Sequence, residues 1–220
     1  MEYIAQHLPR LPYWGDLTDA ERDAVARHAV VRHYPKGSVI HSGGSACLGM
    51  ICVLHGSLRT YLLSEEGREI TLFRLETGDP CVLSAACVVS QITFDTQMEA
   101  ETDCDLLIVG AAVFKKLTEE NIYVRCFLYE LATERFSAVM WTMQRILFEK
   151  VDRRLADFLL SESEKTGSGE LRMTHEEIAR QISSAREVVA RMLKRFSADG
   201  LVELKRGAVR LTDPEALRKI

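Results

Sequence analysis

Between residues 174 and 196 apolar side chains recur at helical spacing with one interruption. Ile178, Ala179 and Ile182 supply the inward face of a short helix, and Val188, Val189, Met192, Leu193 and Phe196 that of a second. Ser183 and Ser184 fall between them. Thr174 with Glu177 three residues on forms a capping box for the first helix. The second helix, from about Ala185 to Phe196, leaves Arg186, Glu187, Ala190, Arg191 and Lys194 on its other face. Beyond it, Ala198-Asp-Gly reads as a glycine-capped helix end, followed by a hairpin with Lys205, Arg206 and Gly207 at its tip. The pattern predicts a winged helix-turn-helix, a helix pair suited to the major groove of DNA. An arginine can pair bidentately with guanine, and a glutamate can accept from the cytosine amino group.

Upstream the period shortens. From Tyr34 to about Phe114, short β-type runs alternate with Gly37, Gly43-Gly44, Gly56, Gly67 and Gly78. The runs are Ser38-Val-Ile-His, Gly49-Met-Ile-Cys-Val-Leu, Ser57-Leu-Arg-Thr-Tyr-Leu-Leu, Arg68-Glu-Ile-Thr-Leu-Phe-Arg-Leu, Thr93-Phe-Asp-Thr-Gln-Met-Glu-Ala and Cys104-Asp-Leu-Leu-Ile-Val. Ser64-Glu-Glu-Gly-Arg is a hairpin turn between two of them. Strands at about ten-residue spacing predict a sandwich or jelly roll. Gly56 and Gly78 fall where a turn needs positive φ or a close backbone approach.

Residues 118–148 contain neither proline nor glycine, and Thr118-Glu-Glu-Asn offers a cap. The apolar residues of this helix cover more than one stripe. One stripe suffices to dock on the β-domain; the second implies the same helix of another subunit, with a helix buried inside a monomer core as the alternative. Phe127, Leu131, Ala138 and Trp141 are the candidate dimer contacts. The expected organisation is therefore α+β: a β-roll effector domain over 1–117, a dimerisation helix over 118–148 and a winged helix-turn-helix domain over 149–220. Glu149-Lys-Val-Asp152 is the expected hinge.

Charge sharpens this picture. The 220-residue chain carries a net −4, which taken whole argues against a nucleic-acid partner. Residues 150–220 nevertheless hold 15 Lys and Arg against 12 Asp and Glu, whereas residues 1–149 hold 13 against 20. Phosphate-facing charge is local, so the acidic total does not exclude DNA. The start of the chain has neither a basic segment nor an apolar run, and no stretch reaches the roughly 20 apolar residues of a membrane helix. The expectation is a cytoplasmic protein with no membrane partner, its six cysteines reduced. Six scattered histidines form no metal-spaced pair. Neither a Ser/His/Asp arrangement nor a glycine-rich phosphate loop is present, so an enzyme is not expected.

Taken in order, Pro35-Lys-Gly-Ser-Val-Ile-His-Ser-Gly, Val53-Leu-His-Gly-Ser-Leu-Arg, Glu66-Gly-Arg-Glu, Leu75-Glu-Thr-Gly-Asp and Ala185-Arg-Glu-Val-Val-Ala-Arg resemble the Crp/Fnr family of transcriptional regulators. The resemblance covers nearly the whole chain. It implies a homodimer on double-stranded DNA with an inverted-repeat operator, and RNA polymerase as a candidate partner. The family's Arg-Glu-x-x-x-Arg pattern falls on Arg186, Glu187 and Arg191 as base readers. Thr174 and Ser184 fall at positions for phosphate contact, and Lys194, Lys205 and Arg206 are candidates from their place on the helix and wing. The chain departs from the family at Ser183, where glycine is frequent in the turn, and at Val188, where Ser or Thr is frequent.

The effector is less determined. In cyclic-AMP-responsive relatives a Gly-Glu-Leu stretch follows the Gly-Asp motif, and an Arg-Ser pair binds the cyclic phosphate. Here Gly78-Asp is followed by Pro80-Cys-Val-Leu-Ser, and no Arg or Lys lies between Arg74 and Lys115. A buried phosphate without a cation is energetically unfavourable, so cyclic AMP is not the expected effector. Cys81, Leu83, Cys87 and Phe94 are the candidate pocket residues. Three readings stand. Cys81 and Cys87 fill the core as small hydrophobes; several of the cysteines form a thiol switch or iron–sulfur cluster; or an apolar pocket takes a small molecule or haem, with a cysteine, His41 or His55 as axial ligand. No cysteine precedes Cys47, so the N-terminal cysteine cluster of oxygen-sensing relatives is absent. The alternative to an effector-controlled regulator is a constitutive or protein-binding winged helix with a vestigial sensor domain.

Overall fold

The computed structural model describes residues 2–42, 47–83, 88 and 95–220. They divide into two compact units, 1–63 with 72–140, and 64–71 with 141–220.

In the first unit, α1 (Glu2–Ala5) and α2 (Asp19–His28) precede the strands β1 (Ala29–Tyr34), β2 (Val39–His41), β3 (Met50–His55), β4 (Leu58–Leu63), β5 (Glu69–Leu75, in this unit from Leu72 on), β6 (Pro80–Cys81), β7 (Gln97–Ala100) and β8 (Cys104–Val109). They form two antiparallel sheets, ordered β1-β8-β3-β6 and β2-β7-β4-β5. Alternation along the strands sends Ile51, Val53, Leu58, Met98, Leu106 and Ile108 into one buried cluster. Opposite residues of β3 and β8 (Met50, Cys52, Leu107 and Val109) join a second cluster beneath the helices. β3 is therefore buried along nearly its whole length. Gly56 turns from β3 to β4 at φ +90°, where a Cβ would run into the Asp103 carbonyl and the Cys104 thiol. Gly78 has φ +100°, as its place after β5 requires. β1 was not legible as a strand: its alternation is weak, and pairing to β8 defines it.

The helix α3 (Ala111–Glu120) ends at Asn121, and the long helix α4 runs Ile122–Phe148. Thr118 is thus not the start of the long helix; it is buried inside α3. Asn121 starts it instead, its Oδ1 accepting from the backbone N–H groups of Tyr123 and Val124.

The second unit holds α5 (Val151–Thr166), β9 (Glu170–Leu171), α6 (His175–Gln181), α7 (Arg186–Ala198), β10 (Val202–Lys205), β11 (Ala208–Leu211) and α8 (Pro214–Leu217). A three-stranded sheet, β10-β11-β9, carries the wing. Leu155, Leu159, Ile178, Val189, Leu193, Phe196 and Val209 form its core. This unit also includes the β4–β5 turn, residues 64–71, where Ser64 N–H bonds the Arg68 carbonyl and Gly67 takes φ +79°.

Candidate nucleic-acid interface

The helix pair forms where the periodicity placed it. The Thr174 hydroxyl accepts from the Glu177 amide at 3.2 Å, and the Glu177 carboxylate accepts from the Thr174 amide at 2.7 Å. The turn is tight: Ser184 N–H donates to the Ala179 carbonyl at 2.9 Å. Ser183, with φ +53°, is the one non-glycine residue in the left-handed region among the described residues. The departure from glycine at this position therefore leaves the turn shape intact and adds backbone strain. Sequence reading missed the residue that holds the turn. Arg154 of α5, 7 % exposed, donates to the Ile182 carbonyl at 2.9 Å. Its only sequence signal is an arginine beside the inward stripe of Leu155 and Leu159.

Val189, Leu193 and Phe196 are buried, which turns Arg186, Glu187, Arg191 and Lys194 outward along α7. Among the described residues none of these four side chains, nor Arg206, has a hydrogen-bond or ion-pair partner. Most other cations of the unit are paired: Arg195 with Asp152 at 3.1 Å, Arg218 with Glu164 at 2.7 Å, Arg153 with Asp157 at 3.3 Å. Arg186, Thr174, Glu176, Lys205 and Gly207 line a cleft of ≈ 420 Å³ that brings the first helix, the second helix and the wing together. Lys205 is not free within it. Its ammonium lies 2.7 Å from the Glu170 carboxylate, a pairing that holds the Glu170 carboxyl below its usual range. Neither the fold of the wing back onto β9 nor this neutralisation was visible in the sequence. Ser184 is half-buried, and the Thr174 hydroxyl is already engaged with Glu177.

On α4 the candidate contacts separate. Leu131 is buried and Phe127 packs beside it against the β-roll core, so neither lies on the open face. Ala138 is half-buried and Trp141 is 63 % exposed. The open face instead carries Ile122, Cys126, Tyr129, Thr133, Phe136, Met140, Met143 and Leu147. Their spacing of four and three residues is a heptad seam. Reading two stripes in the sequence was possible; assigning residues to them required knowing which stripe the β-roll covers.

In the β-roll, Cys81 and Leu83 are sealed in the inter-sheet cluster. Cys87 and Phe94 lie outside the described residues. Two arginines of the β-roll are engaged: Arg59 of β4, 2 % exposed, meets Glu99 at 3.0 Å and stacks over Tyr61, and Arg74 of β5 meets Glu101 at 2.8 Å. His41 is half-buried, and burial lowers its pKa; His55 is exposed. Among the described residues no group of three His, Cys, Asp or Glu side chains could hold a metal ion. Against the expectation of reduced thiols throughout, Cys47 is disulfide-bonded, whereas Cys52, Cys81, Cys104 and Cys126 are free. Spacing along a chain does not reveal which thiols a fold brings within bonding distance. No described helix is long and apolar enough to cross a membrane.

These features define a winged helix-turn-helix DNA-binding protein joined to a cyclic-nucleotide-binding type of β-roll. The cyclic nucleotide-binding domain family matches residues 31–121, and the Crp-like helix-turn-helix domain family matches residues 153–220. A solved structure from Eubacterium rectale, assigned to the Crp/Fnr family of transcriptional regulators, shares 42% identity over 96% of this chain and 98% of its own, with a TM-score of 0.92. The chain belongs to the Crp/Fnr family, and it is a transcriptional regulator with a helix-turn-helix DNA-binding domain. The cAMP-activated global transcriptional regulator Vfr of Pseudomonas aeruginosa is 23% identical over 83% of this chain and 89% of its own length. The c-di-GMP-responsive regulator CLP of Xanthomonas campestris, 21% identical over 88% of this chain and 99% of its own, has the same fold with a TM-score of 0.71.

Proposed function

We propose that the chain works as a homodimer that reads an inverted-repeat operator through Arg186, Glu187 and Arg191, under redox or small-molecule control and not in response to cyclic AMP. The observation that carries this reading is the unpartnered, outward row of Arg186, Glu187 and Arg191 on α7, in a unit whose other cations are mostly paired. Holding charged side chains free costs nothing where water solvates them, and it leaves every donor available to base edges. Thr174, Ser184, Lys194, Lys205 and Arg206 serve the backbone, Lys205 by exchanging Glu170 for phosphate. The α4 heptad seam supports pairing with a second copy. Ile122, Tyr129, Phe136 and Met143 then meet their equivalents at one set of core positions and Cys126, Thr133, Met140 and Leu147 at the other. Two recognition helices reach half-sites about 34 Å apart.

Arg59 and Arg74 are committed to carboxylates, and residues 75–114 contain no other cation, which disfavours a cyclic phosphate. The Cys47 disulfide favours thiol redox over haem as the control. In a reducing cytosol such bonds are usually transient and redox-sensing.

The test is anisotropy of a labelled palindromic duplex with the full chain, across salt, with and without reductant, and with cyclic AMP. Affinity should fall steeply with salt, change on reduction and ignore cyclic AMP. Binding indifferent to salt, or a chain that remains monomeric by sedimentation, overturns the reading.

A further inference from the structure

The β4–β5 turn carries Glu65, Glu66 and Glu69 against a single Arg68, and it packs within the DNA-binding unit. Two of its contacts are on α6. The Thr71 hydroxyl donates to the Arg180 carbonyl at 3.0 Å, and the Glu69 carboxylate lies 3.8 Å from the Arg180 guanidinium. Arg180 is in the last turn of α6, where the helix leaves its carbonyls without amide partners, so Thr71 fills a need that the helix cannot meet alone. Thr71 is buried, which excludes water as an equal competitor while the contact holds. From this footing the turn reaches the reading helix. Gly67, Arg68 and Glu69 face Ser184, Arg186 and Glu187 across a cleft of ≈ 280 Å³.

We propose that this acidic turn is an autoinhibitory latch. Docked on α6, it holds the Glu69 carboxylate beside the first turn of the recognition helix, where an incoming phosphate strand must pass. The turn and a DNA duplex therefore compete for the same side of α7: the Glu69 carboxylate repels phosphate at short range, and the turn occupies the flank of the helix start that a strand would approach. Release exchanges the Thr71 hydrogen bond and the loose Glu69 ion pair for water, among the contacts of the turn, so a signal that favours the undocked turn shifts the balance. This inference rests on the DNA-reading role of Arg186 and Glu187 given above.

The test uses the full chain with T71V, which removes the hydrogen bond without altering charge, and E69Q, which removes the ion pair. Hydrogen exchange checks docking directly: amides 64–71 should exchange faster in both variants than in wild type, and faster in wild type once operator DNA is bound. Freed of the latch, each variant should bind operator about five- to tenfold more tightly, as expected when a competent state rises from a minor to a major population. Unchanged or weaker operator binding by T71V, or a turn that stays protected in the DNA complex, overturns the latch and leaves the DNA-reading role standing. Wild type and variants that all ignore duplex DNA overturn both.

Discussion

Arg59 in the β-roll and Arg191 on the recognition helix are chemically the same and physically opposite. Arg59 is almost fully buried, paired across strands with Glu99 and stacked on Tyr61; Arg191 is exposed and touches no acid. A buried guanidinium must be compensated within the molecule, so its role is fixed by folding. An exposed one without a partner contributes little to stability and remains available to another molecule. The pairing pattern, more than the net charge, therefore tells structural cations from recognition cations here.

The largest effect should come from breaking the first kind. Arg59→Ala strands Glu99 in a partly buried site and should cost about 3–5 kcal/mol of stability, measured by denaturant unfolding. A loss under about 1 kcal/mol would mean that burial of Arg59 is no guide to its role. Next, Arg191→Ala should cost about 1–3 kcal/mol on the cognate operator and relax base preference, with unfolding midpoints unchanged. Equal weakening on operator and random DNA would reassign Arg191 to the backbone. Lys205 sits between the two kinds, exposed yet paired with Glu170. Lys205→Ala should change stability by at most about 1 kcal/mol and lower the salt slope of DNA binding by about one unit. An unaltered slope would show that Glu170 keeps Lys205 from DNA.

The smallest expected effect is on acid stability. Slight burial raises the Asp152 pKa, but hydrogen bonds from Arg195 and the Arg153 amide outweigh it and hold the carboxyl below its usual value near 3.8. A group with a depressed folded pKa contributes stability above the unfolded value and loses it as pH falls through the folded one. Unfolding followed from pH 6 to pH 2 should show Asp152→Asn losing less stability than wild type below pH about 4. Parallel curves would remove the Arg195 pair from the acid response.

Much of the reading end was legible beforehand because its determinants are local. The Thr174–Glu177 capping box, the inward set Val189, Leu193 and Phe196, and the glycine of the wing all act within a few residues of one another. Six of the β-roll strands were legible for the same reason; β1 and β6 are the exceptions, because only pairing to β8 and to β3 makes them strands. The long helix was legible as a helix but not in its start or its faces. Asn121 replaces Thr118 as the cap once α3 occupies the preceding turn, and Phe127 and Leu131 are drawn into the core.

Sequence alone determined the order of β-roll, long helix and winged helix, the placement of Arg186, Glu187 and Arg191 on one exposed helix face, and the lack of cations between residues 74 and 115. These follow from backbone periodicity and side-chain chemistry, which act over a few residues. Only the tertiary structure decided that Lys205 is neutralised by Glu170, that Arg154 holds the turn, that Cys47 is oxidised, and that the acidic β4–β5 turn sits on α6. Each of these joins groups far apart in the chain, and their meeting is fixed by how the sheets and helices pack.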